Sequence, residues 1–176
     1  MFSIFCYNKG GDFVTIHRLS MHTAMFVSSF IVGIVLYYLI AIDQLQQFLQ
    51  LVEPVLLTDS ESQQLYIVVR TVATFVLVTI FASNPLLSIV SYFIIATKIA
   101  LFSLCSMYLV VESQNVLAYS MWWFPVQLLQ CIVLIAYYAR LIKVRKKPGN
   151  VVATIILFII IEIGILLAEL VIIRYV

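Results

Sequence analysis

Five apolar runs divide this chain: Met21 to Ile42, Leu65 to Ser83, Leu86 to Val111, Met121 to Leu141 and Val151 to Ile173. Each is too long for a core strand, and most reach the roughly 20 residues that a helix needs to cross a bilayer. Hydrocarbon offers no partner to a backbone N–H or C=O, so runs of this length can cross it only as helices. The sequence therefore predicts an all-α integral membrane protein: five transmembrane helices in one polytopic domain of 176 residues. Composition agrees, with 64% hydrophobic and 10% charged residues against about 45–50% and about 25% in soluble domains. A net charge of +2 is too small to point to nucleic acid.

The first run ends at Ile42-Asp43 without a small-residue cleavage pattern, which reads as a retained first span rather than a cleaved signal. A four-span plan would leave the apolar tail from Val151 to Ile173 in water. With five spans, Lys9, Arg18, Arg140, Lys143, Arg145, Lys146 and Lys147 fall on one side, while Arg174 falls on the other with Asp43, Glu53, Asp59, Glu61 and Glu112. Basic residues favour the cytoplasmic side, so the expected topology is N-in and C-out in the plasma membrane. The loop of Arg140, Lys143, Arg145, Lys146 and Lys147 then offers either a docking surface for a cytoplasmic partner or simple contact with anionic lipid.

The one long loop follows the first span. From Asp43 to Leu56 it sets Leu45, Phe48, Leu49, Val52 and Leu56 on one helical stripe, with Gln44, Gln46, Gln47 and Gln50 away from it. This predicts an external amphipathic helix, N-capped by Asp43, lying on the outer leaflet or docking a lipophilic partner. Ser60 to Gln63 has the Ser-x-x-Gln form of a capping box at the entry of the second span. Asn84-Pro85 predicts a tight turn that makes spans two and three an antiparallel hairpin. Trp122 and Trp123 read as an aromatic belt at the start of span four, with Pro125 in its first turns. Pro148-Gly149-Asn150 closes the basic loop and opens span five.

Against this apolar background, the ionisable residues inside the spans carry the most information, because each is costly in lipid unless paired or wet. At about 1.5 Å per residue from the cytoplasmic ends, Lys98 lies roughly 16 Å deep, Glu162 roughly 18 Å, Arg70 roughly 20 Å and Glu169 roughly 28 Å. The first three share a level, and Glu169 lies seven residues beyond Glu162 on the same face. The expectation is a charged seam of Arg70, Lys98, Glu162 and Glu169, in which Glu162 faces Lys98 or Arg70. Its alternatives are a proton or substrate path, and unpaired snorkelling. Gln127 and Gln130, three apart on span four, need a partner helix.

Catalytic and metal chemistry find little support. His17 and His22 are the only histidines, and neither a P-loop nor an HExxH motif is present. Cys6, Cys105 and Cys131 are too scattered for a disulfide framework or metal cluster and read as free thiols. No cofactor and no enzymatic activity are expected.

Several features together resemble the stage II sporulation protein M family: the N-in, C-out five-span plan, the amphipathic segment after span one, the NPLLSIVSYFIIATKIALFS hairpin, the SMWWFPVQLLQ entry, the basic LIKVRKKPG loop and an acidic residue in the last span. The resemblance runs from about His22 to Glu169. It would match Lys98 to the family's lysine in span three and Glu162 or Glu169 to its acidic residue in span five. The family's third span is glycine-rich, whereas Leu86 to Val111 has no glycine. The resemblance implies a non-enzymatic subunit of a homo- or hetero-oligomeric membrane complex. In short relatives of circular bacteriocin clusters, this is a permease-like partner of an ATPase, serving maturation, export or immunity of a hydrophobic peptide. In endospore formers it is a scaffold for peptidoglycan-remodelling proteins. Outside the family, a small endolysosomal multispan protein fits the same hydropathy.

Overall fold

The computed structural model describes residues 12–56, 62–112, 122–145 and 148–173. Among these the structure is helical, with no strand: α1 is Asp12–Leu39, α2 Ile42–Val52, α3 Ser62–Ser83, α4 Ser88–Met107, α5 Phe124–Val144 and α6 Pro148–Ile173. A 3₁₀ turn, Pro54–Leu56, follows α2, and a π-helical turn, Tyr108–Glu112, extends α4. Five stretches are long and apolar enough to cross a membrane: Met21–Leu39, Leu65–Ser83, Ser88–Glu112, Phe124–Val144 and Gly149–Ile172. Their outward faces carry Ile31, Val69, Ile80, Ile89, Ile132 and Ile160, all exposed. A continuous apolar exterior of this kind suits lipid rather than water. This is the architecture of a multi-pass membrane protein.

Three helices form the centre. α3, α4 and α5 touch one another, α1 lies along α4, and α6 lies against α5 and α3. The α3–α4 hairpin is closed at Asn84-Pro85: the Leu86 N–H donates to Asn84 Oδ1 at 3.0 Å and the Leu87 N–H to the Asn84 carbonyl at 3.2 Å. Asn84 thus supplies the turn with its own side chain, and proline cannot prolong α3. Pro125 lies in the first turn of α5, where its missing N–H removes no helical bond.

The α1–α4 contact is close because Gly33 has no side chain. A Cβ built there would lie 2.2 Å from the Ala100 carbonyl oxygen and 2.7 Å from Ser103 Cβ. Small residues let helix backbones approach in lipid, where packing rather than water expulsion drives association. At the end of the bundle that bears Arg140, the rings of His22, Tyr92 and Tyr138 gather within 6.5 Å of one another and join α1, α4 and α5.

Three local expectations are corrected. Asp43 is not an N-cap: helix α2 starts at Ile42 after an extended Ala41, with no side-chain cap, and Asp43 sits in the first turn, where its charge complements the helix dipole. The amphipathic stripe does not lie on a leaflet, because Leu45 and Leu49 are fully buried in the bundle core while Phe48 stays exposed. Trp122 and Trp123 are no interfacial belt either. They are 7% and 1% exposed, and the Trp123 indole N–H donates to Ser106 Oγ at 3.2 Å. Residues Ser60 and Glu61 of the capping motif, together with Cys6, Lys9, Lys146, Lys147 and Arg174, lie outside the described residues.

Candidate functional site

The site begins with spacing on α2. Residues 45, 49 and 53 are four apart and so share one face, which carries Glu53 inward behind Leu45 and Leu49. Glu53 is 2% exposed. Its carboxylate takes an ion pair from the Arg70 guanidinium on α3. Nearby, the Tyr66 hydroxyl donates to the Val52 carbonyl and fixes the end of α2. The Thr74 hydroxyl donates to the Arg70 carbonyl at 2.9 Å, satisfied one turn back along the same helix.

Arg70 has a second carboxylate. Its Nη2 stands 3.5 Å from Glu169 Oε1 of α6. Glu169 has no exposed surface, and α5 satisfies it from the other side: Gln127 Nε2 donates to Oε1 at 3.1 Å and Gln130 Nε2 to Oε2 at 2.8 Å. The three-residue spacing of the two glutamines lets one carboxylate receive both amides.

Gln127 also accepts a hydrogen bond from Lys98 Nζ, at 2.8 Å, through its Oε1. An ammonium only donates and a carboxylate only accepts, so a carboxamide between them can turn one end to each. Gln127 is therefore an adapter between Lys98 and Glu169. The resulting chain runs Lys98, Gln127, Glu169, Arg70, Glu53 and links α4, α5, α6, α3 and the end of α2. A lone charge within a span costs up to about 3 kcal/mol at its centre on insertion scales, and the shared hydrogen bonds offset that cost.

Glu162 stands outside this chain. It is 7% exposed, and its Oε2 is buried without a hydrogen-bond partner. Glu162 faces Lys98 across a small cavity without a direct ion pair; Arg70 instead holds Glu53 and Glu169, and Lys98 donates to Gln127. Depth explains the exchange. The apolar stretches of α3 and α6 are 19 and 24 residues long, so depths measured from one end disagree at the other. Counted from the α2 end, Arg70 and Glu169 both lie roughly 6–8 Å in, at about 1.5 Å per residue.

Two spaces adjoin the network. A small internal cavity of about 10 Å³ is lined by Thr71, Thr74, Lys98, Gln130, Leu134 and Glu162. A larger cleft of about 350 Å³ opens between α3 and α4, walled by Val52, Tyr66, Val90, Phe93, Ile94 and Leu101, with Glu53, Arg70 and Lys98 among its lining. Thr74 and Lys98 line both.

The other predicted residues are dispersed. Arg140 lines a separate groove of about 560 Å³ between α5 and α6, Lys143 is exposed and Arg145 is half-buried. His22 belongs to the aromatic cluster. Cys105 and Cys131 are buried free thiols. Among the described residues no three His, Cys, Asp or Glu side chains gather as a metal site. Glu53 is the site residue that loop assignment hides, although its position four after Leu49 on a buried stripe marks it.

No family model, curated protein or solved structure matches this chain.

Proposed function

We propose that this protein is a non-enzymatic, permease-like membrane subunit that receives a hydrophobic peptide in the α3–α4 cleft and works with a cytoplasmic ATPase. The observation that carries the reading is the cleft itself, about 350 Å³ with apolar walls over Arg70, Lys98 and Glu53. Ligand sites typically combine an apolar surface with a few fixed polar groups, in volumes of about 300–1,000 Å³. Phe93, 66% exposed on its rim, leaves the cleft accessible from the side of the bundle, where a peptide partitioned into the membrane would approach. The polar groups are committed to one another, which suits recognition and positioning rather than bond making. The resemblance to the stage II sporulation protein M family and its short bacteriocin-cluster relatives supports the same reading, and the N-in, C-out orientation proposed with it would turn Arg140 to Lys147 toward the ATPase.

The test is photocrosslinking from a diazirine residue at Phe93, in membranes that contain a hydrophobic circular peptide of the bacteriocin type. A crosslink to the peptide from position 93, exceeding that from the lipid-facing control Val152, is expected. Equal yields at both positions would refute cargo binding. Replacing Arg145, Lys146 and Lys147 by Gln should reduce ATPase co-purification, and unchanged recovery would limit the loop to a topogenic role.

A further inference from the structure

The buried charges do not balance. Among the described residues the bundle interior holds two cations, Arg70 and Lys98, and three carboxylates, Glu53, Glu169 and Glu162. Arg70 is shared by Glu53 and Glu169, while Lys98 donates to a neutral amide. One negative charge is left over among these five groups, and Glu162 is the carboxylate least satisfied: Glu53 and Glu169 share Arg70, Glu169 takes two amides besides, whereas Glu162 shares a cavity wall with Lys98 but has no hydrogen-bond donor at Oε2. A buried carboxylate oxygen that no donor reaches is costly to keep ionised.

What could supply the missing positive charge is constrained by the cavity. At about 10 Å³ it is sized for a single water. Lys98 lines it, so its ammonium repels a metal cation, and the remaining lining offers only two threonine hydroxyls and Gln130 as further polar groups. A proton needs neither volume nor a coordination shell. The charged and titratable groups around Glu162 are Lys98 from α4, Glu169 from its own helix and Cys131 from α5, with Arg70 of α3 committed to its two carboxylates.

We infer that Glu162 is a proton-binding site: its Oε2 carries the proton that balances the seam, and exchanges it with a water in the cavity behind Lys98 and Thr74. Release breaks the O–H bond at Oε2, leaves a carboxylate on Glu162 and passes the proton through that water to the α3–α4 cleft, with no other covalent bond changed. The same two residues line the α3–α4 cleft, so proton release would alter the charge at the cleft floor and draw Lys98 from Gln127 toward Glu162. This deepens the proposed function only through Lys98. The test needs no cargo, so failure of cargo binding and failure of the proton site are separately visible.

The experiment is infrared spectroscopy of the full chain in lipid nanodiscs. The carbonyl band of a protonated carboxylic acid should be present near neutral pH, disappear reversibly as pH is raised and shift on transfer to D₂O. Glu162→Gln, which has nearly the shape of the protonated acid, should abolish it. Glu162→Asp should keep a band at a shifted position, which keeps the assignment testable if the glutamine variant fails to fold. Absence of the band, its survival in Glu162→Gln, or its indifference to D₂O would each overturn the proposal.

Discussion

Arg70 gathers two carboxylates from distant parts of the chain, and its removal should be felt twice. In Arg70→Met, Glu53 and Glu169 both lose their cation inside the bundle, and breaking a buried pair typically costs about 3–5 kcal/mol. Lys98→Met strands no charge, because its acceptor is the Gln127 amide, and an unpaired buried acceptor costs about 1–3 kcal/mol. Unfolding in mixed SDS micelles should therefore rank Arg70→Met below Lys98→Met in stability, and the reverse order would contradict the network. Adding Glu169→Gln to Arg70→Met should destabilise by less than the sum of the single changes, since the two residues share one interaction. Much of this site was legible in the sequence. Arg70, Lys98, Gln127, Gln130, Glu162 and Glu169 stand out because polar residues inside apolar runs must have a reason. Their pairing was not legible, because it depends on how spans of unequal length are offset, and depth counted from one end gave Arg70 the wrong partner.

At the scale of the element, α2 decides where Glu53 sits. Leu45 and Leu49 hold that helix to the bundle with no exposed surface, and Glu53 follows on the same face. Leu49→Ala should cost about 2–5 kcal/mol as a large-to-small change at a buried site. It should also weaken the Glu53–Arg70 pair, so that the further cost of Arg70→Met falls in the Leu49→Ala background. Full additivity would mean that α2 does not position Glu53. Gly33 sets the other contact. Gly33→Leu should push α1 from Ala100 and Ser103, and cysteines placed at 30 and 102, whose native rings meet at 5.7 Å across the same contact, should crosslink readily if α1 lies along α4 as described. A failure of that crosslink under mild oxidation would break the α1–α4 assignment. The apolar stripe of α2 and the tryptophan pair before α5 were visible in the sequence, but what covers them was not. Lipid and protein interior are equally apolar, so hydropathy cannot tell Leu45 against a leaflet from Leu45 against a helix, nor Trp123 in an interfacial belt from Trp123 against Ser106.

For the whole molecule, the remaining choice is which way the bundle faces. On the five-span plan the number of crossings is odd, so the two ends of the spanning region lie on opposite sides. Arg140, Lys143 and Arg145 cluster at one end of the bundle, with Lys146 and Lys147 next in sequence, whereas Glu53 and Glu112 lie at the other. Basic residues resist translocation, so the proposed orientation sets the α5–α6 connection in the cytoplasm and the end of α4 outside. Two single cysteines read this directly, at Lys143 and at Glu112, both exposed, in a chain with Cys6 replaced by Ser. Cys105 and Cys131 can stay, because they are buried and closed to a membrane-impermeant maleimide. In intact cells the Glu112 position should label and the Lys143 position should label only after permeabilisation. Labelling at Lys143 from outside would invert the molecule, and labelling at both positions from the same side would remove a span from between them. Either outcome would also place the basic loop away from any cytoplasmic ATPase or break the five-span plan on which the proposed function depends, while leaving the Arg70 network and the Glu162 proton site to stand on their own measurements.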